Sequence, residues 1–430
     1  MNICVINGSP KGKNSITLQT VNYIAKRFKD DCFSVIDAGR EIKSLEKDMS
    51  RALQMMAAAD VLLFAYPVYT FLAPSQLSRF IELVFESGID LSGKRATQIT
   101  TSKHFYDVTA HRFIEDNCRD LGMEIIRGMS ADMDDLLCDK GRRDAEEFWK
   151  FVRFQAGAGE DGAPSVADAK DALGDTVIVA DLSKDAEALV GLIDVFRANY
   201  PYKTRLIDIS KYPFKGGCLG CFNCAGDGKC VYKDGFDGFL RGEIQTAKAI
   251  VYAFAIRNHG MGSVFKTYDD RQFCNGHRTV TQGVPFGYIV LGDYENEPNL
   301  RLVIEARCSV GHNYLSGVGT DAASVIGMAS RLGYAVRNGY VPERDFFGVG
   351  GMKIFRDLIW TMRGLMKADH EFYKKNGEYD FPQKHPLKML KMAFLGSLVR
   401  NPKIRSRMGG RMTEGMLQPY KKVVDGQNRK

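Results

Sequence analysis

Two hydrophobic rhythms alternate along this chain. Short runs rich in Val, Ile, Leu and Ala fall at residues 2–7, 33–37, 60–66, 96–101 and 123–128. They have the length and continuous apolar character of strands buried on both faces of a sheet. Between them, near 15–28, 45–58, 74–85, 108–121 and 142–154, apolar positions recur every three or four residues. That spacing predicts amphipathic helices. Strands alternating with helices specify an α/β architecture with a parallel sheet covered on both faces, and five such units make one doubly wound domain.

The rhythm lapses at residues 155–165, a stretch rich in Gly and Ala with no apolar period, which reads as a linker. It then restarts, with strands expected at 176–180, 204–209, 249–255, 286–291 and 314–318 and helices near 185–197, 236–246, 265–273, 300–312 and 322–336. The two series also agree locally. Ala58-Ala-Asp-Val-Leu-Leu-Phe-Ala-Tyr66 parallels Thr246-Ala-Lys-Ala-Ile-Val-Tyr-Ala-Phe254, each a helix end entering a third strand. A tandem duplication is expected: one domain at 1–155, a linker at 156–172, a second domain at 173–340 and a helical, basic extension at 341–430. The plainer account is two βα arrays alike only in pattern. Within the extension, Phe346-Phe-Gly-Val-Gly-Gly-Met352 reads as a Gly-rich turn opening a helix that packs on the second repeat.

Composition adds little until it is divided. With 45% hydrophobic and 26% charged residues the chain is ordinarily globular. The net charge of +7 hints at nucleic acid, but residues 381–430 hold 12 Lys/Arg against two acids, so the remainder is at −3. No nucleic-acid reader fold accompanies that local charge, and nucleic acid is not an expected partner. No apolar run reaches the roughly 18–20 residues of a spanning helix. The strand-like start leaves no room for a signal peptide, so a cytoplasmic protein is expected. The basic tail has two readings: peripheral contact with an anionic membrane or acidic partner, or docking of its own apolar face on the body.

Ligands of doubly wound sheets sit beyond the carboxyl ends of the strands, where strand order reverses. The first loop there is Asn7-Gly-Ser-Pro-Lys-Gly-Lys-Asn-Ser-Ile-Thr17. Its Ser9, Lys11, Asn14, Ser15, Ile16 and Thr17 combine donors, charge and a helix N-terminus suited to a terminal phosphate. Neither G-x-x-x-x-G-K-[ST] nor G-x-G-x-x-G is present, which argues against a nucleotide triphosphatase or a dinucleotide Rossmann domain. A Gly/Ser turn that only caps a helix remains the alternative. After the third strand comes Tyr66-Pro-Val-Tyr-Thr-Phe-Leu-Ala-Pro74, a Pro-bounded loop carrying aromatics, and after the fourth Thr100-Thr-Ser-Lys-His-Phe-Tyr-Asp107, again polar and aromatic.

These three loops together resemble the flavodoxin-like NAD(P)H-dependent FMN reductases. The resemblance covers residues 1 to about 150 and implies two flavodoxin-like sheets of strand order 2-1-3-4-5. It implies FMN phosphate in the first loop, isoalloxazine held by Pro67, Val68, Tyr69, Thr70 and Phe71, contacts from Thr101, Ser102 and His104, and NAD(P)H as electron donor. Many relatives carry Gly where this chain has Lys103-His-Phe-Tyr106, so the flavin edge is altered. His104 and Tyr106 are the candidate catalytic residues, as proton donors or flavin hydrogen-bond partners, with a plain loop role for His104 as the alternative. In the second repeat the corresponding loop lacks Gly-Ser-Pro and carries Asp181 and Asp185, which would repel a phosphate.

That repeat instead holds Cys218, Cys221, Cys224 and Cys230, spaced C-x2-C-x2-C-x5-C among glycines. The C-x2-C-x2-C run matches ferredoxin-type [4Fe–4S] ligation; an empty loop of free thiols and a zinc site are the alternatives. Position and spacing resemble the iron–sulfur flavoproteins, which implies a [4Fe–4S] cluster in the second repeat and a pseudo-dimer within one chain, with a homodimer as the other assembly. The expected function is transfer of electrons from NAD(P)H or a low-potential carrier through FMN and the cluster to a quinone, another small molecule or a protein. A non-catalytic electron carrier is the alternative.

Overall fold

A computed structural model describes residues 1–158, 175–399 and 414–426. The expected linker lies outside them beyond residue 158. The chain divides into two compact units, Met1–Gly162 together with Phe381–Lys430, and Ala163–Asp380.

In the first unit the strands are β1 (Asn2–Asn7), β2 (Cys32–Ile36), β3 (Val61–Pro67), β4 (Arg95–Ser102), β5 (Glu124–Ile125) and β6 (Met129–Asp132). They form a parallel sheet in the order β2-β1-β3-β4-β5, with β6 also on β4. β1 and β3 are buried almost throughout, as their apolar sequences require. One face packs Leu62, Phe64 and Tyr66 against Leu77 and Phe80 of the helix Ser75–Ser87 and Ile114 of the helix Asp107–Asp120.

The second unit contains β7 (Thr176–Ala180), β8 (Thr204–Asp208), β9 (Ala249–Ala255), β10 (Phe286–Leu291) and β11 (Leu315–Gly319). Its sheet runs β8-β7-β9-β10-β11, parallel throughout. Counted within each unit, both sheets have the order 2-1-3-4-5, the flavodoxin-like arrangement, with order reversing at the first strand.

The units also share a local device. After β3, Tyr69 and Leu72 exchange backbone hydrogen bonds (2.8 and 3.1 Å) around Thr70 and Phe71, both left-handed at φ 48° and 76°. After β9, Arg257 and Gly260 do the same (2.8 and 3.0 Å) around Asn258 and His259, at φ 47° and 64°. Each turn is followed by a helix beginning at a serine, Ser75 in one and Ser263 in the other.

Four expectations are corrected. The single helix foreseen at 45–58 is two, Ala38–Leu45 and Ser50–Ala58, because the Asp48 carboxylate accepts the Ser50 N–H (2.9 Å) and starts a new helix there. The strand foreseen at 123–128 is interrupted between β5 and β6. Arg95 pairs with Glu124 but Ile99 with Met129, so one extra residue is accommodated, and Gly128 lies so close to Gln98 that a Cβ would meet its side chain at 2.3 Å. The helix foreseen at 236–246 passes from α (Phe236–Phe239) to π geometry (Leu240–Ile244). The Gly-rich stretch at 346–352 is no turn: the helix Phe346–Thr361 runs straight through it, and Gly348 sits 2.5 Å, measured to an added Cβ, from the Ser309 carbonyl. Glycine there lets this helix press onto the helix Pro298–Gly311, and Asp345 caps it while accepting from Ser309 Oγ (2.5 Å).

The chain after residue 340 is shared out. Residues 341–380 belong to the second unit, while 381–430 return to the first. There, residues 414–424 form a helix that buries Leu417, Tyr420 and Val423, the last two against Leu136. Lys26 pairs with Asp425 (2.7 Å) and the Tyr420 hydroxyl donates to the Met133 carbonyl (3.0 Å). The helix Pro386–Val399 behaves differently, leaving Leu387, Met389, Leu390, Met392 and Phe394 in solvent.

Candidate functional site

The carboxyl ends of β1, β3 and β4 open into a cleft of about 300 Å³. Ser9, Lys11, Ser15, Ile16 and Thr17 line it from the first loop, Pro67, Val68, Tyr69, Thr70 and Phe71 from the second, and Thr101 and Ser102 from the third. Ser15 caps the helix Ile16–Arg27 by accepting from the Leu18 N–H (3.3 Å). The N–H groups of Ile16 and Thr17, in the first turn, have no intrahelical acceptor. Thr17 Oγ1 and Thr101 Oγ1 share a hydrogen bond of 2.5 Å, which fixes the first loop against the third. Gly12 is left-handed (φ 52°), so the loop needs glycine there to close on Ser9 (3.0 Å).

Among the described residues of the first unit, every non-glycine residue with positive φ is Thr70, Phe71, His104 or Tyr106. All four lie in the two aromatic loops around the cleft. Left-handed backbone at such residues costs of order 1–3 kcal/mol each and collects at functional sites.

Asn14, His104 and Tyr106 do not line the cleft. His104 Nδ1 faces Asp107 Oδ2 (3.2 Å), and that buried carboxylate also accepts from Ser130 Oγ (2.5 Å). The Tyr106 ring packs on Phe71, with centroids 4.1 Å apart, and so braces the strained turn. Lys103 and Phe105, from the segment expected at the flavin edge, line the cleft, and so does Met133, which was not expected. Nothing in the sequence pointed to Met133, which follows β6 and is positioned by Tyr420 from the far end of the chain.

A strand order of 2-1-3-4-5 with a lined cleft at its reversal point defines the fold. Residues 1–127 match the family model for the flavodoxin-like fold. No curated protein matches the chain. Among solved structures, the FMN-dependent NADH-azoreductase of Bacillus anthracis in complex with FMN is 17% identical, aligned over 34% of this chain and 96% of its own, with a TM-score of 0.29. The NAD(P)H:quinone oxidoreductase of Methanothermobacter marburgensis is 12% identical over 38% of this chain and 98% of its own, with a TM-score of 0.30. A flavodoxin from the domain Archaea is 14% identical over 36% and 99%, with a TM-score of 0.28.

The second flavodoxin-like sheet carries a different site. Cys218, Cys221, Cys224 and Cys230 all line one cavity of about 190 Å³. Left-handed Gly220, Phe222 and Gly228 wind the loop around it. All ten cysteines are free thiols, and among the described residues no three His, Cys, Asp or Glu side chains stand together as metal ligands. Burial pushes the Cys224 thiol up, with Cys218 and Cys230 adding to the effect.

The cavity has further walls that the sequence did not reveal. Cys274 lines it as a fifth thiol, pushed up to about 11 by burial. Arg271, 1% exposed, forks onto Asp234 (2.8 and 2.8 Å), donates to the Gly216 carbonyl (3.0 Å) and reaches Cys230 Sγ (3.7 Å). It thereby ties both ends of the cysteine loop together, and its hydrogen bonds hold the Asp234 carboxyl well below the usual carboxylate range. Asp369, from the helix Lys367–Lys375, closes the cavity and accepts the His277 N–H (2.7 Å). Arg271 Nε, His277 Nδ1 and Asp369 Oδ2 are buried there without hydrogen-bond partners.

In the same unit a broad cleft of about 900 Å³ lies at the ends of β7 and β9. Arg257 pairs there with Asp185 and Arg307 with Asp269, His259 Nδ1 lies 3.0 Å from the Glu297 carboxylate, and Asp181 accepts from Ser183 (2.6 Å).

Proposed function

We propose that the chain is an FMN-dependent oxidoreductase that takes electrons from NAD(P)H, with FMN in the first unit and a [4Fe–4S] cluster held by Cys218, Cys221, Cys224 and Cys230 in the second. The observation that carries the flavin reading is the convergence of all three loops on one cleft at the reversal point of the sheet. Buried hydroxyls of Ser9, Ser15 and Thr17, the Lys11 ammonium and the first-turn N–H groups suit a phosphate ester. Tyr69 and the strained Thr70–Phe71 turn suit the face of a flat heterocycle. When bound, FMN supplies the hydride and single-electron exchange.

The chain's residues bind and orient. Lys11 and the helix N-terminus anchor the phosphate, Thr101 and Ser102 offer hydroxyls along the ring edge, and Phe71, Phe105 and Tyr106, in mutual contact, exclude water from one side. His104, paired with Asp107, orders the third loop from behind.

What supports the cluster reading is that the four cysteines line one cavity and that Arg271 stands beside Cys230 to balance thiolate charge; no three of the thiols stand together as ligands, so the loop would have to draw in around the group. The acceptor class this reading favours is a quinone or a similar flat organic molecule, which suits an aromatic-lined cleft.

Anaerobically purified protein, assayed for flavin, iron and acid-labile sulfide on one sample, tests both groups, and NAD(P)H oxidation by the same sample tests turnover. A sample that binds no FMN sinks the reading of the first unit, and one without iron and sulfide sinks that of the second. Lys11→Ala should weaken FMN about tenfold, the effect of one charge-assisted contact, while leaving riboflavin affinity unchanged. Equal losses for both flavins would place the phosphate elsewhere.

A further inference from the structure

The helix Pro386–Val399 breaks the usual rule that a helix hides its apolar residues. Leu387 is 81% exposed, Leu390 68%, Phe394 64%, Met389 55% and Met392 54%. An ordinary surface helix buries a stripe and shows its charges. The helix at 414–424 does so, and the same unit therefore contains a direct contrast.

The exposed positions do not make a narrow seam either. At 100° per residue, Leu387, Met389, Leu390, Met392 and Phe394 cover about 220° of the circumference, and the remaining arc takes the positions of Lys388 and Lys391 among those of Leu395, Leu398 and Val399. A protein groove takes one stripe of a docked helix. A lipid headgroup boundary can bury a broad apolar arc while lysines on the flank keep their charges in water.

Charge points to the same occupant. From residue 381 to residue 413 the sequence has eight Lys/Arg and no Asp or Glu. Such a block is attracted to anionic lipid and within a Debye length adds to apolar insertion. Length settles the mode: 14 residues span about 21 Å, short of the roughly 30 Å hydrocarbon core. Among the described residues no helix is long and apolar enough to cross a membrane.

We propose that the helix Pro386–Val399 lies in the surface of an anionic lipid bilayer and fastens the protein there reversibly. The partner is a phospholipid surface carrying net negative charge. The proposal does not depend on either redox group.

Flotation of the full chain with vesicles tests it. Vesicles of phosphatidylcholine with about one-third phosphatidylglycerol should carry at least about tenfold more protein than phosphatidylcholine alone, and raising salt from about 0.1 to 0.5 M should remove most of the difference. The double variant Leu390→Glu/Phe394→Glu should lose about tenfold in binding with an unchanged thermal midpoint, since neither side chain supports the core. Three results overturn the proposal: no preference for the anionic vesicles, capture by polyglutamate with no vesicle binding, or a dimer seen by light scattering that the double variant dissociates without any vesicle binding. The second would assign the helix to an acidic polypeptide and the third to a second copy of the chain.

Discussion

Single residues in the first unit show where the fold accepts a cost. Thr70, β-branched and left-handed at φ 48°, stands in a turn whose geometry favours Asn or Gly. Thr70→Asn should raise stability by about 0.5–1 kcal/mol, read as a shift of the urea midpoint, because Asn tolerates this backbone. A lower midpoint would mean that the Thr70 side chain contributes more than its backbone costs. His111 makes a second case. Burial brings its imidazole down to about 4, and its Nε2 meets Thr100 Oγ1 (2.9 Å) in β4 beside the cleft. The unfolded state, with an ordinary value near 6.5, therefore binds more protons between pH 6.5 and 4. Stability should be fully present above about pH 6.5 and fall by on the order of 2–3 kcal/mol as pH drops to about 4. Urea titrations of the wild type and of His111→Gln at several pH values check this, and an equally steep fall in the variant would assign the effect to other groups.

At the scale of elements, much was legible in the sequence. Residues 249–255 and 286–291 read as strands and are β9 and β10 with those bounds, because continuous apolar runs of that length have few other uses. What failed to show depends on partners distant in sequence. The break between β5 and β6 is imposed by Gln98 on another strand, and the straight helix through Gly348 by Ser309. Site residues divide the same way: loop residues next to strand ends could be named, whereas Cys274, Arg271 and Asp369 reach the cysteine cavity from separate elements. Arg271 is the member on which the loop depends most. Arg271→Met should leave Asp234 buried without its fork and destabilise the second unit by about 3–5 kcal/mol, measured by denaturant unfolding. A change below about 1 kcal/mol would show that the loop holds itself.

For the molecule as a whole, the two units have equal strand orders and matching left-handed turns after β3 and β9. Their sites differ, with hydroxyls and Lys11 in one and thiols in the other. Pattern reading divided the chain into consecutive pieces and missed that its last part returns to the first, since no local signal says where a helix will dock. Ending the chain after residue 413 removes Leu417, Tyr420 and Val423 from the interior and frees Met133 beside the cleft. We expect a loss of about 3 kcal/mol in the first unit, net of ordering cost, together with weaker FMN binding in a fluorescence titration. If both quantities stay unchanged, the helix at 414–424 is only an ornament.

That return of the chain fixes an order of events during synthesis. The second unit is continuous in sequence and has all its parts as soon as residue 380 has emerged. The first unit is translated earlier but lacks its closing helix until residues 414–424 leave the ribosome. At about 5–20 residues per second, the surface around Ile16, Tyr23 and Leu136 waits roughly 15–50 s for Tyr420 and Val423. The half that is made first is therefore finished last, and for that interval a chaperone would find its apolar surface open.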